Sequence, residues 1–105
     1  MKREVKMFLV TTSTYPLTKA NVIAAKFQKA AAVPLPSFLK RLYTLNTAGG
    51  EGIKVLGIYQ VEDDKVTEGI KELTRYFVEF YEVEGFKYIL ETMLTAQEGI
   101  PLLRR

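Results

Sequence analysis

Apolar and polar positions along the chain recur with a period near two, then near 3.6, then near two again, the signatures of strands and helices. Val5 to Thr14, rich in Val, Phe, Leu and Thr, predicts a strand. Tyr15-Pro16 ends it, because proline has no amide hydrogen to give a ladder. Thr18 stands where it can cap a helix running to about Ala32. On a helical wheel Ala20, Ile23, Ala24, Phe27, Ala30 and Ala31 share one face, with Lys19, Lys26 and Lys29 off it. Val33-Pro34-Leu35-Pro36 then predicts an extended connector. Leu39 to Thr47 and Ile53 to Val61 read as two further strands. The loop Ala48-Gly49-Gly50-Glu51-Gly52 joins them as an antiparallel hairpin, with glycines able to take positive φ.

Asp63 and Asp64 favour the start of a helix that runs to about Tyr81. Its apolar stripe is Val66, Ile70, Leu73, Phe77 and Phe80, and Glu68, Lys71, Glu72, Arg75, Glu79 and Glu82 lie opposite. Gly85 turns the chain into a last strand, Phe86 to Thr95. Thr95-Ala96-Gln97-Glu98 then fits a capping box for one short helical turn, curtailed by Gly99 and Pro101. The order is β-α-β-β-α-β, the ferredoxin-like plan of the α+β class. Right-handed crossovers place both helices on one face of a four-stranded antiparallel sheet of order 4-1-3-2. At 105 residues the chain is expected to be a single domain, residues 1–105.

The strands are apolar on both sides. Phe8 and Val10 oppose Met7 and Leu9, Leu56 and Ile58 oppose Val55, Tyr59 and Val61, and Ile89 and Met93 oppose Tyr88, Leu90 and Leu94. A solvated face would be polar at every second position. Two helices cover one face only, so the other needs a partner. A second copy packed sheet to sheet about a twofold axis is the simplest cover. The alternative is a monomer with Ile100, Leu102 and Leu103 folded over the sheet.

Composition narrows the chemistry. The chain has no His, Cys or Trp, which excludes a thiolate nucleophile, a Ser-His triad, a cysteine zinc site and an axial imidazole. No cofactor and no metal are expected. The longest apolar runs, such as Met7 to Val10, fall far below the roughly 20 residues of a membrane span. No signal-peptide core follows Lys2 and Arg3, so the expected compartment is the cytoplasm, with no membrane partner. Residues 1–50 carry eight bases and one acid, residues 51–105 seven bases and eleven acids. In the predicted fold this becomes a basic helix beside an acidic one, a mutually attractive surface rather than a nucleic-acid site. The third strand, Ile53-Lys54-Val55-Leu56-Gly57-Ile58-Tyr59, also lacks the stacking aromatics of an RNA-recognition module. No nucleic-acid partner is expected.

The element order, the two-sided strands and the stretch from Val55 through Tyr59, Glu62 and the acidic helix to Gly85-Phe86-Lys87-Tyr88 resemble the dimeric α+β-barrel superfamily, most of all its small uncharacterised members. The resemblance implies a homodimer whose sheets enclose a cavity for a small, largely apolar molecule. Haem-degrading members use an axial His, absent here. A cofactor-independent monooxygenase-like or isomerase-like enzyme and a purely structural oligomerisation domain are the alternatives.

Glu91 is the weak catalytic candidate. It sits mid-strand in register with Ile89 and Met93, which places it on the open sheet face, as a general base, a ligand anchor or an edge-strand carboxylate. Arg41 and Tyr43 are expected to share one face of the second strand, with Tyr59 on the third and Glu91 as their partner, either in a polar cluster that orients a bound ligand or in a hydrogen-bond network at the dimer interface. Gly57, beside Tyr59, marks a bulge or a close backbone approach. Thr11, Thr12, Ser13 and Thr14 have no base near them in sequence and carry no nucleophile reading.

Overall fold

A computed structural model describes residues 7–50 and 52–103. The elements are β1 (Met7–Tyr15), α1 (Ala20–Ala31), β2 (Leu39–Gly49), β3 (Gly52–Val61), α2 (Val66–Val78), β4 (Lys87–Leu94) and α3 (Ala96–Leu103). The sheet order is β2-β3-β1-β4 with every neighbouring pair antiparallel, which is the predicted 4-1-3-2 counted from the other edge. The fold is ferredoxin-like α+β. Val5 and Lys6, expected to open β1, lie outside the described residues. Gly52 and Gly85 take positive φ at the two turns that require it.

Helix entry differs from expectation. Thr18 caps nothing: Leu17–Lys19 form a 3-10 turn, and α1 starts at Ala20 without a side-chain cap. The backbone supplies the bond instead, the Lys19 amide donating to the Pro16 carbonyl at 2.9 Å. Asp63 and Asp64 likewise sit in a 3-10 turn, closed by the Lys65 amide on the Glu62 carbonyl at 2.9 Å. One half of the expected capping box is present, the Glu98 amide donating to Thr95 Oγ1 at 3.2 Å. α3 then runs to Leu103, longer than the single turn expected.

α2 is the well-seated helix. Leu73 and Phe77 are buried, as their spacing predicts, and Val66 and Ile70 are half-buried; the helix stops at Val78, short of the expected Tyr81, and Phe80 is buried from the turn beyond it. Gly69 sets the approach. A Cβ there would lie 2.9 Å from Leu9 Cδ1 and 3.1 Å from Val61 Cγ2, so a side chain would lift the helix off β1 and β3. Beyond it the aromatics pack as core, Phe77 on Tyr88 with centroids 4.6 Å apart and Phe80 on Phe86 at 5.0 Å.

α1 is seated differently. Ile23 alone is buried, Ala20 and Phe27 are half-buried, and Ala24 and Ala31 remain exposed. The predicted apolar face of this helix therefore looks partly onto open space. The core divides accordingly. One cluster gathers Tyr15, Ile23, Val55, Phe77, Phe80 and Val83, and a second gathers Leu9, Leu39, Tyr59, Val61 and Leu73.

The sheet's other face carries no helix α1 or α2. Register places Phe8, Val10, Leu56, Ile58, Tyr43, Leu45, Ile89 and Met93 on it. Tyr43 is 60% exposed, Leu45 51%, Ile89 62% and Met93 40%, values far from those of core residues. The side chains of Ile100, Leu102 and Leu103, the alternative cover, lie outside the described ones.

Candidate functional site

Register explains where space opens inside the fold. On the helix-covered face, Thr44 of β2, Gly57 of β3 and Thr11 of β1 form one cross-strand row. Asn46, Val55 and Ser13 form the next. These rows are small and polar where a core wants bulk. Opposite them α1 presents Ala24, Gln28 and Ala31. Small residues facing small residues leave a gap that neither layer fills. The result is a cavity of about 410 Å³ bounded by Thr11, Ser13, Gly57, Arg41, Tyr59 and Tyr76, with Phe27 and Phe77 closing its apolar end. Its volume lies within the usual range of small-molecule sites, roughly 300–1,000 Å³.

Thr11 and Ser13 are almost wholly buried, yet no hydrogen bond ties either hydroxyl to another described side chain. No buried polar side-chain atom among the described residues lacks a partner, so these oxygens face the cavity rather than the packed interior. Gly57 is not empty space. A Cβ there would meet Thr11 Oγ1 at 2.6 Å and Tyr59 Cε1 at 3.0 Å. The Tyr59 ring lies back along its own strand over the glycine, so side chains, and neither a bulge nor a second backbone, take the space that a Cβ would need.

Arg41 forms the charged wall. Its guanidinium carbon stands 5.5 Å from the Tyr59 ring centroid and 5.9 Å from that of Tyr76. It has no carboxylate partner among the described residues, and no Asp or Glu lines the cavity. Burial pushes the Tyr76 hydroxyl up to about 12, with Tyr59 raising it further and Arg41 opposing. Tyr76 is therefore a proton donor at any physiological pH. It also lines a second, shallower hollow of about 270 Å³ between α1 and α2, with Lys26, Lys29, Glu72, Arg75 and Glu79 around it. Lys26 of α1 pairs with Glu82 in the turn that follows α2, which lowers the Glu82 carboxyl below its ordinary value. Arg75 pairs with Glu72 at 2.6 Å. The expected attraction between a basic and an acidic helix is thus reduced to the single Lys26–Glu82 pair, since Arg75 and Glu72 both belong to α2.

The four sequence-predicted site residues divide between the faces. Arg41 and Tyr59 oppose each other in the ladder and meet on the helix side. Tyr43 does not join them. The β2–β3 register shifts between Arg41 and Tyr43, and the extra residue, Leu42, turns Tyr43 to the open face. This corrects the expectation that Arg41 and Tyr43 share a side: strict alternation holds only where no bulge intervenes. Glu91 pairs in register with Val10 and is exposed on the open face, across the sheet from Arg41 and Tyr59. It cannot be their partner. Sequence reasoning passed over Thr11, Ser13, Asn46, Gln28 and Tyr76. The available signal was the interruption of the apolar series Leu9, Tyr15 by Thr11 and Ser13 on one face. No group of His, Cys, Asp or Glu suited to a metal occurs among the described residues.

The fold and cavity together define a small ferredoxin-like α+β domain. The chain is similar to a solved structure, the C-terminal domain of the MgtC protein from Mycobacterium tuberculosis, with 13% identity and a TM-score of 0.50. The likeness covers 92% of this chain and 97% of that domain, and it shows a shared fold alone. No protein-family model matches the sequence, and comparison with curated proteins finds no match. Among the described residues no helix is long and apolar enough to cross a membrane.

Proposed function

We propose that the protein is a small-molecule-binding domain that works as a homodimer of the dimeric α+β-barrel kind. The observation that carries the binding role is the cavity between α1 and the sheet, floored by the buried hydroxyls of Thr11 and Ser13. A groove of this volume, apolar at one end and lined by a few convergent polar groups, is the default candidate for a binding site.

Dimerisation is supported by the open sheet face. The accessible surface is 7715 Å². A monomer of 11.9 kDa is expected to expose about 5,950 Å². The excess, on the order of 1,800 Å², is spread over the whole chain, and the open face is one part of it. Lys40, Lys54 and Lys87 lie toward the margins of that face, and half-buried Leu56 and Ile58 near its middle, beside Thr12 and the buried Val10. An apolar centre with a charged rim is the usual anatomy of an interface.

A second reading places the molecule between the two sheets, where Glu91 would serve a cofactor-independent monooxygenase-like or isomerase-like reaction. The favouring observation is that Glu91 is the one carboxylate that register places on this face among the described residues, between Ile89 and Met93 of its own strand.

Sedimentation velocity tests the assembly. A dimer is expected at micromolar concentration, and Ile58→Lys should convert it to a folded monomer. A wild-type monomer at tens of micromolar would remove the proposed interface. Ala24→Trp tests the cavity, since the indole would enter it from the exposed side of α1. Ligand binding unaffected by that change would place the site elsewhere, and the sheet-to-sheet reading would then take precedence.

A further inference from the structure

We infer that the helix-side cavity takes a small organic anion, a carboxylate on a ring-sized apolar body, anchored by Arg41. The inference rests on the ligand-binding reading above and adds the chemical class of the ligand.

Three observations converge. First, the cavity lining holds one cation, Arg41, and no acid. Nothing among the described residues neutralises it by ion pairing. A half-buried guanidinium without a carboxylate is costly to keep, and an anionic ligand removes that cost. Second, the guanidinium is held over the rings of Tyr59 and Tyr76. A cation over a ring face satisfies its charge partly through the quadrupole while its in-plane N–H donors stay free. Those donors suit the two oxygens of a carboxylate. Third, the donors around the cavity exceed what the protein itself uses. Thr11 and Ser13 offer hydroxyls, Asn46 and Gln28 offer amides, and Tyr76 lines the same cavity with a phenol.

The other end sets the body of the ligand. Phe27, Val55 and Phe77 are apolar and contiguous with the cavity. A volume of about 410 Å³ accommodates one or two rings rather than a nucleotide-sized molecule. A phosphate ester fits less well. No glycine-rich loop opens a helix here, and Arg41 is the single cation of the lining.

Matched pairs of probes provide the test: phenylacetate against phenylacetamide, and 2-naphthoate against 2-naphthamide, titrated into the ¹⁵N-labelled protein. The amides keep shape and ring and lose the charge. The acids should shift the amide resonances of Thr11, Ser13 and Gly57, and bind at least about tenfold more tightly than their amides, the value of a charge-assisted bond. Arg41→Gln, on a half-exposed side chain, should bring the acids down to the affinity of the amides. Acid and amide binding equally at those resonances would overturn the anionic class while leaving the cavity as a binding site. Shifts confined to Leu56, Ile58 and Glu91 would move the site to the open face and overturn the inference. No binding by any of the four probes would remove the inference together with the reading beneath it.

Discussion

Gly57→Ala is the sharpest test of how the cavity floor is built. The new methyl would stand 2.6 Å from Thr11 Oγ1 and 3.0 Å from Tyr59 Cε1, with the Tyr59 hydroxyl at 3.4 Å. Two of these distances lie well inside van der Waals contact. The Thr11 hydroxyl must turn away from the new methyl and the Tyr59 ring must tilt, which disturbs the ring beneath Arg41. Overpacking of this kind costs about 1–3 kcal/mol. Alanine recovers roughly 0.5–1 kcal/mol over glycine through the unfolded chain. The net expectation is a loss of about 0.5–2 kcal/mol, seen as a lower midpoint in urea with an unchanged slope. A double-mutant cycle isolates the contact. In a Thr11→Ala background the closest clash is gone, so Gly57→Ala should cost less than it does in the wild type. A midpoint equal to or above wild type, or strict additivity in the cycle, would refute the account of why glycine stands there.

Alkaline pH offers a second expectation. The Tyr76 hydroxyl is raised to about 12 in the fold from an ordinary 10.0, so its contribution is complete below pH 10 and is lost as pH climbs toward 12. Two units correspond to at most about 2.7 kcal/mol, and partial solvent access reduces this to roughly 1–2 kcal/mol. Urea midpoints across that window should fall more steeply in wild type than in Tyr76→Phe, and parallel curves would count against it. Lys26→Met should return the Glu82 carboxyl toward its ordinary value, followed by NMR titration of its side-chain carbon, and an unmoved midpoint would deny the pairing of α1 with the turn after α2.

The architecture was legible because two periodicities carried it. The stripe Val66, Ile70, Leu73 and Phe77 seated α2, and apolar residues on both sides of β1, β3 and β4 foretold the open face. The site was less legible, for a local reason at Leu42. One extra residue reverses the facing of everything after it, and neither Leu42 nor its neighbours carry the glycine or proline that would announce a bulge. Glu91 was placed correctly by alternation, yet its supposed partners were not, since Arg41 and Tyr59 face the other way. The cavity escaped notice because it is a deficit. Alanines on a helix wheel read as apolar face, and only the pairing of Thr11 and Gly57 with Thr44 shows that nothing large enough stands beneath Ala24 and Ala31. Helix starts were missed because backbone carbonyls at Pro16 and Glu62 did what side-chain caps were expected to do.

The bulge at Leu42 gives β2 two independent vocabularies. After it, Thr44, Asn46 and Ala48 point to the cavity side, while Tyr43, Leu45 and Thr47 point to the opposite face. No residue of this segment belongs to both sets. A lineage, or an engineer, can therefore rewrite what the domain holds without rewriting what it docks against, using alternate letters of one edge strand.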